Sequence, residues 1–138
     1  MTVVAPYLSF NGTCAEAFDF YASVFGGAIT MRMTYGKSPM ADQVPADCAD
    51  LVMHTAMSIG SFVLMGADMY PGRPYHTPQG ISVMVEMESV EKVGAAFGRL
   101  AEDGHVTMPI TATFWTPAFG MLTDRFGITW MLACANAG

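Results

Sequence analysis

The sequence is poor in positive charge: six Lys and Arg stand against twelve Asp and Glu in 138 residues, for a net charge of −6. So few cations cannot build a groove that follows a phosphate backbone, which excludes nucleic acid as a partner. The same balance argues against an anionic lipid surface. Charged residues of both signs reach only 13% against 52% hydrophobic, so a disordered chain is excluded and a large buried core is expected. No apolar stretch approaches the roughly 20 residues of a membrane helix. No basic segment leads into an apolar one at the N-terminus, so a cytoplasmic location is expected. Three cysteines, Cys14, Cys48 and Cys134, are too few and too scattered for a disulfide framework or a zinc knuckle, and read as reduced apolar fillers. Also missing are a Gly-rich strand-to-helix loop for a nucleotide or methyl donor, a G-x-S-x-G elbow, and a cysteine with a neighbouring histidine.

What is abundant is methionine, 13 of 138 residues. The thioether is flexible and polarizable, so such an excess fills either an adaptable core or an adaptable apolar pocket; core filling is the default expectation. The punctuation of the chain repeats. A strand-like run over residues 3–10 is interrupted by Asn11-Gly12-Thr13, where Thr13-x-x-Glu16 has the form of a capping box. Cys14, Ala17, Phe18, Tyr21, Val24 and Phe25 then recur at helical spacing, and Gly26-Gly27 ends the segment. Residues 81–87 read as a second strand, Ser89 as an N-cap, Val90, Val93, Phe97 and Leu100 as a helix face, and Gly104 as its close. Three strand-like segments follow each helix: 28–35, 51–58 and 62–66, then 105–111, 114–123 and 128–133. Gly27 and Gly104 are 77 residues apart but Gly60 and Gly127 only 67, so ten extra residues belong to the first copy, within residues 36–50. The predicted architecture is α+β: βαβββ twice in a single domain over 1–138, with modules of about 1–70 and about 78–138.

Several motifs in this order carry a family resemblance: Tyr7-Leu8-x-Phe10-Asn11-Gly12, Ala17-x-x-Phe20-Tyr21-x-x-Val24-Phe25-Gly26, His54-Thr55-Ala56, Phe62-Val63-Leu64-Met65-x-x-Asp68, Thr113-Phe114-Trp115, Phe119-Gly120 and Asp124-Arg125-Phe126-Gly127-x-x-Trp130. Together they resemble the PhnB-like branch of the glyoxalase/bleomycin-resistance (vicinal oxygen chelate) superfamily over essentially the whole chain. The resemblance implies curved half-barrel modules around a concave site, and a homodimer in which modules of two chains complete each cavity. It implies no substrate, because this superfold hosts lyases, dioxygenases, isomerases and drug-binding proteins.

Members that do chemistry hold a divalent metal through His and Glu on the first and last strands of each module. By the family's spacing those positions are Pro6, Leu64, Met131, and Gly80 or Ser82. None is His, Glu or Asp, so no metal or other cofactor is predicted at the usual positions, and another metal site would have to draw on His54, His76, His105, Asp68, Glu86 and Asp124. His54 is the one candidate catalytic residue, as an acid/base group or a hydrogen-bond donor paired with a carboxylate. His76, His105 and Glu86 read as solvated. Asp124 reads as a turn residue above Gly127, and Asp68 as a cap for the loop after it. Leu8, Phe10, His54, Phe62, Leu64, Ser82, Phe114, Trp115 and Met131 are expected to line the cavity for a small apolar or aromatic ligand. Phe119, Trp130, Tyr70 and Tyr75 are expected in the core or at a dimer contact. The competing readings are a lyase or isomerase using His54, and a structural or regulatory dimer without a ligand.

Overall fold

The computed structural model describes residues 2–70 and 72–135. They fall into two compact units, Met1–His76 and Thr77–Gly138. The first runs β1 (Tyr7–Phe10), α1 (Cys14–Phe25), β2 (Ala28–Thr34), β3 (Val52–Ile59), β4 (Phe62–Asp68). The second runs β5 (Val83–Met87), α2 (Val90–Leu100), β6 (His105–Thr111), β7 (Phe119–Thr123), β8 (Thr129–Cys134). Each forms one four-stranded sheet, in the orders β1-β4-β3-β2 and β5-β8-β7-β6. The first strand of each unit pairs parallel with the last, and the other pairings are antiparallel. The βαβββ repeat and the α+β class are therefore as expected.

The ten extra residues of the first unit lie between β2 and β3, coiled into three single turns of 3-10 helix, Tyr35–Lys37, Ala41–Gln43 and Ala46–Cys48. Backbone hydrogen bonds from Tyr35 N–H to Leu51 O (3.0 Å) and Gly36 N–H to Ala49 O (2.9 Å) close the base of this insertion.

Each helix covers one face of its own sheet. In the first unit Phe18 stands edge-on to Phe10 and to Tyr21, with ring centroids 6.0 Å apart in both pairs. Met57 and Leu64 are buried on the same face. In the second, Val93, Ala96, Phe97 and Leu100 bury against a face that carries Leu122, Trp130 and Leu132. Val90, expected on that helix face, is exposed because it opens the first turn, ahead of the covered stripe. A glycine lies under the central phenylalanine of each helix. A Cβ on Gly66 would come 2.8 Å from Phe18, and one on Gly120 would come 2.7 Å from Phe97. The close approach of helix to sheet is thus built the same way twice, which periodicity alone does not show.

Helix ends are made differently from expectation. Thr13 makes no side-chain cap, so there is no capping box. Its place is taken by Asp68, whose Oδ1 accepts the Cys14 N–H (3.0 Å) and whose Oδ2 accepts the Val52 N–H (2.8 Å). A buried carboxylate at a helix N-terminus is favoured by the helix dipole and by two charge-assisted bonds, which outweigh a lone threonine hydroxyl. Asp68 therefore ties α1 to β3 rather than capping the loop that follows it. Ser89 caps α2 as expected, accepting from Lys92 N–H (3.1 Å), with a Lys92–Glu88 ion pair beside it. Gly26 closes α1 in the left-handed conformation (φ 68°). After α2 the left-handed residue is Asp103 (φ 56°) and not Gly104. Gly104 instead makes a close approach, since a Cβ there would meet Thr123 O at 2.6 Å. Gly27 does the same in the first unit, 2.7 Å from Ser58 O.

Three strands start two or more residues later than expected. β1 begins only at Tyr7, Val3 and Val4 being exposed ahead of Pro6, which has no N–H to give. β5 begins at Val83, after the left-handed Gly80 (φ 76°). β7 begins at Phe119 and not at residue 114. The Thr113 hydroxyl accepts from the Trp115 and Thr116 N–H groups (3.3 and 3.1 Å), and this turn, followed by Pro117, takes Phe114 and Trp115 out of the ladder.

Candidate functional site

Strand register decides which residues lie on the sheet faces away from the helices. Paired residues share a face and successive residues alternate. In the first unit Phe18 packs over Gly66, which pairs with Thr55, so Leu64, Met57, Leu8 and Phe10 lie on the helix side. The opposite face carries Tyr7, Met65 and Ala56, joined across β1, β4 and β3, with Met31 beside Ala56 and Met33 beside His54 on β2. In the second unit Gly120 and Leu132 mark the helix side. The opposite face carries Met84, Met131, Met121 and Met108 in register across all four strands, with Phe119 and Glu86 on the same face. Seven of the thirteen methionines therefore sit on the two helix-free faces rather than under the helices, against the core-filling default.

At the centre of the first face, the Tyr7 hydroxyl lies 2.9 Å from His54 Nδ1, and the two rings stack with centroids 5.6 Å apart at 24°. Tyr7 is 52% exposed and His54 half-buried, so the pair is open to a ligand. The partner of His54 is thus a phenol and not the carboxylate that was expected. Burial, followed by the neighbouring Cys14 and Tyr35, pushes the Tyr7 phenol above its usual range, so it stays protonated. No Asp, Glu, Lys or Arg of the four strands shares this face. Arg32 pairs with Thr55 on the helix side and binds Asp19 of α1 at 2.9 Å.

Of the expected lining residues, His54 and Met131 are on helix-free faces, and Ser82 precedes β5 in phase with Met84. Leu8, Phe10 and Leu64 are not: they are buried in the helix-side core. Phe62 is in phase with Leu64, at the far end of β4, and is 77% exposed. Phe114 projects fully into solvent from its turn. Trp115 stands edge-on to Phe119, 5.1 Å between centroids, and so flanks the second unit's free face. The reason for the misplacement is a one-residue phase difference. β3 and β4 are joined by two residues, Gly60 and Ser61, whereas five residues, 124–128, join β7 and β8. Counting four from the glycine reaches the free face at Met131 but the helix side at Leu64. The first unit's free-face residues are Tyr7 and Met65, each one beyond the counted Pro6 and Leu64. Tyr7, Met31, Met33, Met65, Met84, Met108 and Met121 were missed, although Met31-x-Met33 alternates visibly in the sequence.

Asp124 does what a turn residue should: its Oδ1 accepts from Phe126 and Ile128 N–H (2.9 and 3.0 Å) below Gly127 (φ 93°). It also does more, because Oδ2 accepts the Trp130 indole N–H at 2.8 Å. His76, His105 and Glu86 are exposed. The three cysteines are free, and burial beside the Asp68 carboxylate raises the Cys14 thiol to about 12. Among the described residues no three His, Cys, Asp or Glu side chains come together as a cation site. At the counted positions, or one residue beyond them on the free faces, stand Tyr7, Met65, Ser82 and Met131, a phenol, two thioethers and an alcohol, a donor set that does not fit a hard divalent cation.

The comparisons with known proteins agree with this architecture. Residues 4–132 match the model of the Glyoxalase/Bleomycin resistance protein/Dioxygenase superfamily, and the chain belongs to it. Protein YjdN of Escherichia coli K12 is 30% identical, with 94% of this chain and 92% of that one aligned. The crystal structure of protein PA1353 from Pseudomonas aeruginosa is 42% identical at a TM-score of 0.89, covering 97% of this chain and 98% of that one. A Bacillus cereus PhnB protein, described as a putative 3-demethylubiquinone-9 3-methyltransferase, is 27% identical at a TM-score of 0.82, covering 97% of this chain and all of that one. The PhnB-like resemblance seen in the motifs therefore holds.

Proposed function

We propose that this superfamily member binds a small, flat apolar or aromatic molecule on its methionine-rich sheet faces, without a metal ion. The observation that supports the reading is the composition of the first unit's free face: Met31, Met33 and Met65 around the stacked Tyr7–His54 pair, with no ionised strand residue beside them. Thioethers mould to ligand shape and make favourable contacts with aromatic rings. The one polar pair would fix the ligand's orientation, the usual division of labour in a small-molecule site. The reading includes a homodimer, as the family resemblance implies, and a cytoplasmic location. A methyl-transfer role has no support in the residues, since the β1–α1 junction Asn11-Gly12-Thr13 is not a methyl-donor loop.

The test uses N-phenyl-1-naphthylamine, a neutral flat fluorophore. Saturable binding is expected for the native protein. Met31→Lys and Met65→Lys should weaken it at least tenfold, by placing a cation on the apolar face, while Phe62→Lys on the other side should leave it unchanged. Equal effects of all three substitutions, or a stoichiometric divalent ion in elemental analysis of the purified protein, would overturn the proposal. A second reading, a lyase or isomerase, is favoured by the Tyr7–His54 hydrogen bond alone, which could hold and pass a proton. It requires that His54→Ala abolish a turnover while leaving the fold intact.

A further inference from the structure

We infer that the ligand of the first unit's free face is an uncharged, flat molecule with a carbonyl oxygen at one edge, which accepts a hydrogen bond from His54 Nε2–H. The inference rests on the binding role just proposed and goes beyond it by naming the chemistry of the ligand. Its starting point is the direction of the Tyr7–His54 bond. The two atoms are 2.9 Å apart, and each can in principle donate. A phenol is the stronger proton donor of the two, and an imidazole nitrogen the stronger acceptor, so the Tyr7 O–H donates to Nδ1. A phenol is protonated at neutral pH in any case, and partial burial moves the Tyr7 ionisation further up.

With Nδ1 occupied as an acceptor, a neutral His54 carries its proton on Nε2. Among the described residues nothing accepts that N–H: the ring's hydrogen bond is the one to Tyr7. The groups beside it on the face are Met33, Met31 and Ala56, which offer sulfur and hydrocarbon but no oxygen acceptor on their side chains. The phenol's proton is given to Nδ1, so the Tyr7 hydroxyl is no second free donor beside the ring, although its oxygen can still accept. His54 Nε2–H is therefore a donor in a setting of thioethers and a methyl group, with the Ser9 and Ser58 hydroxyls further along the same face. A donor in such a place is matched by an acceptor on the incoming molecule, and left unmatched by a pure hydrocarbon. A carboxylate or sulfonate ligand is not selected, because no strand cation shares the face and Arg32 is engaged by Asp19 on the far side. A ligand ammonium has no acceptor to offer the His54 N–H, whereas a neutral oxygen does. What remains is a neutral acceptor, of which a carbonyl conjugated to a ring is the flat form.

The experiment compares 1-indanone with indane, two molecules of one shape that differ by the carbonyl oxygen, titrated against the full-length protein by NMR. The expected result is a three- to tenfold preference for indanone, the range of one net hydrogen bond. His54→Phe should reduce that ratio to about one, and Tyr7→Phe should shrink it by releasing the tautomer. Long-range 15N spectra of the histidines, which need no ligand, should show His54 protonated at Nε2 and bare at Nδ1. The opposite tautomer, or equal affinity for the two compounds, overturns the carbonyl inference while the apolar binding role stands. Binding of neither compound overturns both.

Discussion

Replacing Asp124 by asparagine removes one carboxylate oxygen and little else in shape, and its cost can be worked from the geometry. In the native chain Oδ1 takes two backbone N–H groups, from Phe126 and Ile128, and Oδ2 takes the indole N–H of Trp130. An amide that keeps its oxygen on the two backbone donors must turn its own NH2 toward the indole, so donor faces donor. Asp124 is 4% exposed and Trp130 1%, which leaves water little access to rescue the indole. A hydrogen bond to a charged group contributes about 1.5–3 kcal/mol, and a stranded buried donor costs about 1–3 kcal/mol. We expect Asp124→Asn to lose about 3 kcal/mol, read as a shift in urea midpoint at unchanged slope. In Trp130→Phe the N–H is gone but a smaller ring leaves space in the core, so that variant is destabilised for a different reason. Adding Asp124→Asn to it should then cost clearly less than in the native background, because the clash has no donor left to make it. A double-mutant cycle should therefore show about 1–2 kcal/mol of coupling. Strict additivity, or an Asp124→Asn protein within about 0.5 kcal/mol of native, would refute the assignment of the turn's stability to this carboxylate.

Three further outcomes follow from the same kind of reasoning. Gly66→Ala and Gly120→Ala put a methyl group under Phe18 and Phe97 at distances no real Cβ tolerates, so each should destabilise by about 1–3 kcal/mol in thermal or urea unfolding; a neutral result at both would mean the helices are free to lift. Asp68→Ala leaves two backbone N–H groups, from Cys14 and Val52, without their carboxylate and should cost about 3 kcal/mol. Cys14, with its thiol raised to about 12 in the fold, should resist alkylation at pH 8 in the native protein. Because the unfolded thiol ionises near its ordinary value, stability from this group is present below about pH 8.5 and is lost as pH rises toward 12. Rapid native-state labelling of Cys14, or stability that climbs over that interval, would contradict the burial.

Much of the fold was legible because its signals are local. The stripe Cys14, Ala17, Phe18, Tyr21 and the N-cap Ser89 are read within one or two helical turns, and both helices formed where they were expected. The ten-residue surplus was placed between β2 and β3 by counting glycines, and it is there. The candidate site was less legible. His54 and Met131 could be named, but Leu8, Phe10 and Leu64 were assigned to the wrong side, because alternation gives two sets of residues without saying which set the helix covers. Phe114 and Trp115 looked like strand residues by hydrophobicity, yet the Thr113 hydroxyl and Pro117 turned them out of the ladder.

The sequence by itself determined the order of elements and the superfamily, since periodicity, glycine punctuation and motif order are properties of neighbouring residues. Only the tertiary structure decided what faces what. Asp68 reaches Cys14 across 54 positions, and Tyr7 reaches His54 across 47. Such pairings depend on register, and the side-chain period of a strand is two, so a hairpin of two residues in place of five is enough to send every side chain to the opposite face.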